Sequence, residues 1–200
     1  LELASTLGAR RLAARARAVL DGVAPPSTTE LVDTGVRRAL LFTDLVDSTV
    51  LLHRLGDDRY TAVMARHHDA IRSAAEEHDG VVFTYAGDGF GVWFSDADSA
   101  ARCALSVHRR LTALGAAFGL PLAARTGIAS GTPINLDGNL FGVSVVRAAR
   151  LCAVADDHQV LVDFSTAMYL TTTHSVSLRE HGEISLKGFP TPEHVYVVEP

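Results

Sequence analysis

The stretch from Val81 to Phe94 constrains this chain more than any other. Two short apolar runs, Val81–Tyr85 and Phe90–Phe94, are joined across Gly87-Asp88-Gly89. A brief Gly/Asp link between apolar strands is a strong hairpin signal. A long helical pattern stands on each side: Arg59–Glu77 before the hairpin, closed by the Asp79-Gly80 breaker, and Ala97–Phe118 after it. Beyond these lie Ala39–Thr43 and Leu122–Ala129, apolar runs fit for buried strands. The order β-α-β-β-α-β that begins at Arg38 is that of a ferredoxin-like, or palm, sheet, and the fold class is α+β.

The flanking segments complete this outline. Thr49–Leu55 and Ser144–Val154 read as helices, and Val160–Val162, Ser175–Leu178 and Val195–Val198 as further strands. Near the start, residues 3–20 form a helical pattern with Leu3, Leu7, Leu12, Val19 and Leu20 close to one face. Two prolines and Ser-Thr-Thr make residues 25–33 a linker by composition. The expected division is therefore residues 1–37, an N-terminal helix and linker that end a preceding regulatory region or make a dimer contact, and residues 38–200, one α+β domain.

Composition excludes several classes. A hydrophobic share of 48% supports a packed core, while a net charge of −5 lacks the basic surface of a nucleic-acid binder. The apolar runs fall short of the roughly 20 residues needed to cross a bilayer. Arg10, Arg11, Arg15 and Arg17 run through the first helix rather than preceding an apolar stretch, so no signal peptide is expected. Cys103 and Cys152 both stand in alanine-rich helical contexts; two buried thiols of a reducing, cytoplasmic compartment are the better reading, with a disulfide as the alternative.

Two aspartates carry the chemistry. In a sheet of this topology the first strand and the hairpin lie side by side, with Asp44 closing the strand and Asp88 in the hairpin turn. Taken singly, each is ordinary turn chemistry. As a pair at one sheet edge they are hard oxygen ligands for a cation such as Mg²⁺, with triphosphate oxygens able to complete the shell.

Here the sequence resembles a known family. Phe42-Thr43-Asp44-Leu45-Val46-Asp47-Ser48-Thr49 resembles the first metal motif of class III adenylyl and guanylyl cyclases, and Gly87-Asp88-Gly89-Phe90 the second. Arg125-Thr126-Gly127-Ile128-Ala129-Ser130-Gly131 is similar to the strand after the family's long helix. The segment from Asn139-Leu140-Phe141-Gly142 through Ala148-Ala149-Arg150-Leu151 is similar to its dimer-interface helix, and Leu186-Lys187-Gly188 to its C-terminal Leu-Lys-Gly. The resemblance implies attack of the ribose 3′-hydroxyl on the α-phosphate of the same nucleotide, with pyrophosphate leaving. It implies two ions, Mg²⁺ or Mn²⁺, held by Asp44, Asp88 and the Leu45 carbonyl. It also assigns Arg125 to phosphate, and implies a head-to-tail homodimer in which Arg150 (catalytic) and Lys187 (phosphate-binding) serve the partner's site.

Some positions depart from the family pattern. Where adenine-specific members carry lysine and an acidic or hydroxyl residue to read the base, this chain has Thr84 and Asn139, so little purine preference is expected. Where the family places a ribose-orienting asparagine, this chain has Val146. Loss of one such donor costs about 10²–10³ in rate, by analogy with oxyanion-hole deletions. Two readings follow: a slow, weakly selective cyclase, or a cyclase-like regulatory module that binds nucleotide without turnover. A third, a palm-fold enzyme joining two nucleotides, lacks support because the motif ending in Arg150 is a cyclase motif.

Other side chains read as structural. Asp47 is expected to cap the helix at Ser48. His67 and His68, beside Asp69, and the pair Arg109-Arg110 are expected on solvated helix faces, and Trp93 and Phe94 in the core. For Arg125 a strand-to-helix salt bridge is the alternative to a phosphate contact.

Overall fold

The computed structural model describes residues 35–199. The first strand, β1 (Arg38–Leu45), leads into helices α1 (Ser48–Leu55) and α2 (Asp57–Glu77), then the hairpin β2 (Val81–Ala86) and β3 (Gly89–Phe94). Helix α3 (Ala97–Phe118) and β4 (Ala124–Gly131) complete the first half. A small hairpin, β5 (Ile134–Leu136) with β6 (Asn139–Phe141), precedes α4 (Val143–Val154), β7 (Val160–Asp163), α5 (Phe164–Thr173), β8 (Ser177–Ile184) and β9 (Glu193–Glu199).

Seven strands form one sheet in the order β2-β3-β1-β4-β7-β9-β8. Its first four strands have the ferredoxin-like order, with β1 antiparallel to both β3 and β4. The sheet then extends through β7, parallel to β4, and β9, antiparallel to β7. The outermost strand, β8, exposes Arg179, Glu180, His181 and Glu183.

Alternation along β1 divides the core between two layers. Ala39, Leu41 and Leu45 pack with Val63, Ile71 and Ala74 of α2 and Ala104, Val107 and Leu111 of α3. Leu40 points the other way, joining Ala148 and Leu151 of α4 and Leu161 of β7. Helix α4 lies hard against β4 at Gly127, where a β-carbon would stand 2.2 Å from the Cys152 nitrogen and 2.4 Å from the Ala148 oxygen. Only a residue without a side chain permits that approach.

Local chemistry explains the helix limits. Asp96, with extended backbone, caps α3 by accepting from the Ser99 amide at 2.8 Å, and Gly119 at φ 65° ends it in a left-handed turn. The expected cap at Asp47 does not form. Its φ of 52° places it in the left-handed region instead of the extended region an N-cap uses, and its side chain makes no capping bond. Strands differ at their ends from the sequence reading: β1 continues one residue past Asp44, β4 runs later than expected, and β8 reaches Ile184. Helix α5 and the β5–β6 hairpin were not expected at all. The expected helix over residues 3–20 and the linker over 25–33 lie outside the described residues.

Both cysteines are buried and free, and burial pushes each thiol up to about 12. They are inert thiols at neutral pH. Phe94 is fully buried, whereas Trp93 is half-buried, with the Arg38 guanidinium 4.3 Å from its ring centroid. Arg109 is exposed as expected, but Arg110 is not a free surface cation: it pairs with Glu77 of α2 and donates to Ser106.

Candidate active site

Asp44 lies near the end of β1, directly opposite Arg125 of β4 in the register. Arg125 donates from Nη2 at 2.6 Å and from Nε at 3.1 Å, both to Asp44 Oδ2. The alternative salt bridge foreseen for this arginine, strand to helix, is thus replaced by one across neighbouring strands. The carboxylate beside it raises the Arg125 pKa further, so the guanidinium is a fixed positive charge.

The other oxygen of Asp44 meets the hairpin. A β-carbon on Gly89 would lie 3.6 Å from Asp44 Oδ1, which brings the carboxylate against the turn that carries Asp88. Asp88 acts electrostatically on Arg125 and on Tyr60 of α2, whose pKa is raised by burial and then by Asp88. Asp44, Asp88 and Arg125 therefore share one rim of the sheet. Among the described residues no group of three or more His, Cys, Asp or Glu side chains is placed to hold a metal. The two carboxylates supply oxygen donors only.

A pocket of about 280 Å³ opens beside this rim. Phe42, Asp44, Thr84, Gly91 and Arg125 line it, together with Ala149, Cys152 and Ala153 of α4. Of the positions expected to read the base, Thr84 is in this pocket, whereas Asn139 is exposed on β6. Val146 is 46% exposed on α4, and Lys187 is exposed in the loop between β8 and β9. Arg150 is half-buried, and its Nε is a buried donor without a hydrogen-bond partner. Asn139, Val146, Arg150 and Lys187 do not line the pocket of their own chain.

Neighbouring Arg147 explains how part of this surface is held. It pairs with Glu193 of β9 at 3.2 Å and approaches Asp163 at 3.8 Å, with the Phe189 ring 5.1 Å from its guanidinium carbon. Helix α4 is thereby tied to the loop that presents Lys187.

Two histidine environments correct the sequence reading. His67 is buried, 1% exposed, and its pKa falls to about 4, chiefly through burial. Its neighbours four residues away, Val63 and Ile71, are also buried, a periodicity that marks position 67 as inward. His68 is half-buried and hydrogen-bonds through Nε2 to the Gly87 carbonyl at 2.8 Å. Neither sits on a solvated face. On α3, His108 is buried between the His158 carbonyl and Thr126 Oγ1, which in turn meets Thr43 Oγ1 at 3.2 Å. This polar chain ends at Thr126 and Thr43, the residues next to Arg125 and Asp44. Its sequence signal was a histidine on an alanine-rich helical face, one residue from buried Val107.

Comparison with known proteins shows the family and the fold. The model of the adenylate and guanylate cyclase catalytic domain matches residues 36–200, and the chain belongs to that family. Adenylate cyclase 1 of Rhizobium meliloti is 29% identical over 177 residues, covering 79% of this chain and 27% of that protein. An uncharacterised protein of Mycobacterium tuberculosis is 32% identical over 160 residues, covering 78% of this chain and 53% of its own length. The chain thus spans about a quarter to about half of these curated relatives. Among solved structures, the adenylyl cyclase CyaB from P. aeruginosa superposes with a TM-score of 0.77 at 21% identity, over 82% of this chain and 94% of that one. The guanylate cyclase domain of RhGC from Catenaria anguillulae, solved with GTP, gives 0.73 at 19% identity, over 82% and 97%. These likenesses concern the fold.

Proposed function

We propose that this domain converts a purine nucleoside triphosphate, ATP or GTP, to the 3′,5′-cyclic monophosphate and pyrophosphate, at a site shared by two chains in head-to-tail contact. The observation that carries this reading is the convergence of Asp44, Arg125 and the Asp88 hairpin on one rim, beside a pocket that includes Thr84.

The donor set fits hard divalent cations. The Asp44 and Asp88 carboxylates and the Leu45 carbonyl would hold two ions, Mg²⁺ or Mn²⁺, with nucleotide oxygens completing the shells. Such ions, when bound, would favour loss of the proton from the attacking 3′ hydroxyl and steady the leaving group. Arg125 occupies only Oδ2 of Asp44. Released from that oxygen, its fork of donors suits phosphate oxygens. Asp47 makes no capping bond, so its side chain leaves the first amides of α1 available to the triphosphate.

Arg150 and Lys187 serve the partner's site, stabilising charge on the reacting phosphates. Supporting the dimer, α4 exposes Val143, Val146 and Val154, and the adjoining hairpin exposes Ile134 and Phe141. Exposed apolar side chains grouped on two adjoining elements suit an interaction surface. Thr84 and Asn139 carry no charge, so base selectivity is weak, and Val146 leaves the ribose without an amide, so turnover is slow. In the same reading residues 1–37 join the catalytic domain to a regulatory region, and the buried thiols fit a cytoplasmic location.

Incubating the purified chain with Mn²⁺ and ATP or GTP, then measuring cyclic nucleotide, tests this. Slow product formation, lost in Asp44→Ala and Asp88→Ala, is expected. No product from a dimer that binds Mn²⁺–nucleotide would favour instead the regulatory module, the reading to which Val146 lends its weight.

A further inference from the structure

The turn that carries Asp88 is gripped from the helix beneath it. Ala86 and Gly89 pair across the hairpin, so Gly87 and Asp88 are the two central residues of a two-residue turn. Gly87 has φ 60°, and Asp88 is not among the non-glycine residues with positive φ. That combination belongs to a type II′ turn, with glycine at the first central position. The mirror-type alternative, I′, needs positive φ at both central residues. The two differ chiefly in which way the peptide between them faces, and that peptide's carbonyl belongs to Gly87.

His68 of α2 holds that carbonyl at 2.8 Å. A carbonyl can only accept, so Nε2 must carry the proton, which fixes the tautomer of a neutral ring. The ring itself is set by the two legs of the hairpin. Its centroid is 5.0 Å from Phe90, edge-on, and 6.2 Å from Tyr85. Tyr85 and Phe90 stack on each other at 5.7 Å, and the Arg72 guanidinium, one turn along α2, lies 5.1 Å and 5.6 Å from their centroids. The donor is therefore locked on both sides.

We propose that His68 is a positioning residue for the metal carboxylate of Asp88. By holding the Gly87 carbonyl it selects the II′ turn and prevents the peptide flip that would swing Asp88 into the left-handed region and its carboxylate away from Asp44. The inference rests on the metal role proposed above for Asp88.

The test uses the 200-residue chain and a fluorescent, non-cyclisable nucleotide analogue titrated with Mn²⁺, so that binding is read without turnover. His68→Phe keeps the ring contacts and removes only the donor, and His68→Gln offers an amide donor in its place. Asp88→Asn is the reference for the metal role. His68→Phe is expected to raise the Mn²⁺ concentration for half-saturation by about 10–100-fold, the range for losing a group that orients a metal ligand. Its melting midpoint should stay near wild type, and His68→Gln should recover most of the affinity. Two results overturn the proposal while leaving the metal site intact: wild-type Mn²⁺ dependence in His68→Phe when Asp88→Asn has lost it, or equal weakening in His68→Gln and His68→Phe. Mn²⁺ dependence unchanged in Asp88→Asn removes the metal role itself, and the positioning role with it. Should His68→Phe fail to fold, His68→Leu carries the same comparison.

Discussion

At Asp44 the two carboxylate oxygens keep different company: Oδ2 takes both donors of Arg125, and Oδ1 abuts the hairpin. A cation approaching this carboxylate competes with an arginine already there. Both side chains are about one-third exposed, and a pair of that kind is worth about 0–1 kcal/mol. Arg125→Gln is therefore expected to tighten Mn²⁺ binding in the absence of nucleotide, by up to about fivefold, while weakening nucleotide binding. Mn²⁺ titration followed by electron paramagnetic resonance checks the first, and equal Mn²⁺ affinity in both proteins would mean the pair opposes nothing. His108 gives a prediction of a different kind. Burial, opposed by its bond to the His158 carbonyl, lowers its pKa from 6.5 to about 4. Between those values the unfolded chain takes up a proton that the folded chain refuses. Stability should fall as pH drops through that window, by up to about 1.4 kcal/mol per pH unit for each such proton. His67 adds to the same slope. His108→Gln should flatten part of it, as read from melting midpoints between pH 7 and pH 5.

Elements built on strong periodicity are legible in the sequence. Helix α3 matches its expected span because an extended Asp96 and a left-handed Gly119 mark both ends with residues suited to those conformations. The β2–β3 hairpin was legible for the same reason, and with it the nearness of Asp88 to Asp44. Helix α5 was not. Three of its apolar residues, Phe164, Met168 and Tyr169, are exposed, while its buried face joins Thr166 to Ala167 and Leu170. Apolar residues on both faces leave its orientation without a clear periodic signal. The β5–β6 hairpin was missed because strands of three residues are too short to show alternation. At the site, partners separated widely in sequence, such as His68 with Gly87, depend on how α2 is laid against the hairpin, which no local pattern encodes. The contact of α4 with β4 yields a test at this scale. Gly127→Ala would put a methyl group 2.2 Å from backbone that cannot move without its helix. Overpacking of this kind costs about 1–3 kcal/mol, and Arg125 lies two residues along the same strand. Lower thermal stability together with weaker nucleotide binding is expected in this variant, whereas lower stability with unchanged binding would separate the helix seat from the site.

The whole molecule's proposed activity depends on residues that do not meet within one chain. Asp44 and Arg125 belong to one pocket, while Val146, Arg150 and Lys187 stand outside it. If a partner supplies the second set, Asp44→Ala and Arg150→Ala should each be inactive alone yet recover on mixing. One mixed dimer then contains a site with both lesions and a site with neither. Random pairing gives about a quarter of wild-type activity, since about half the dimers are mixed and each has one intact site of two. Absence of recovery, with exchange of chains demonstrated, would place the whole site within one subunit. The charged outer strand β8 adds a consequence for assembly beyond catalysis. Its Arg179, Glu180, His181 and Glu183 are exposed along the border of the sheet, and charges so placed discourage another strand from docking. Sheets cannot readily add end to end across that border, so a concentrated solution is protected there against ribbons and fibres even while the apolar flank of α4 remains free to find its counterpart.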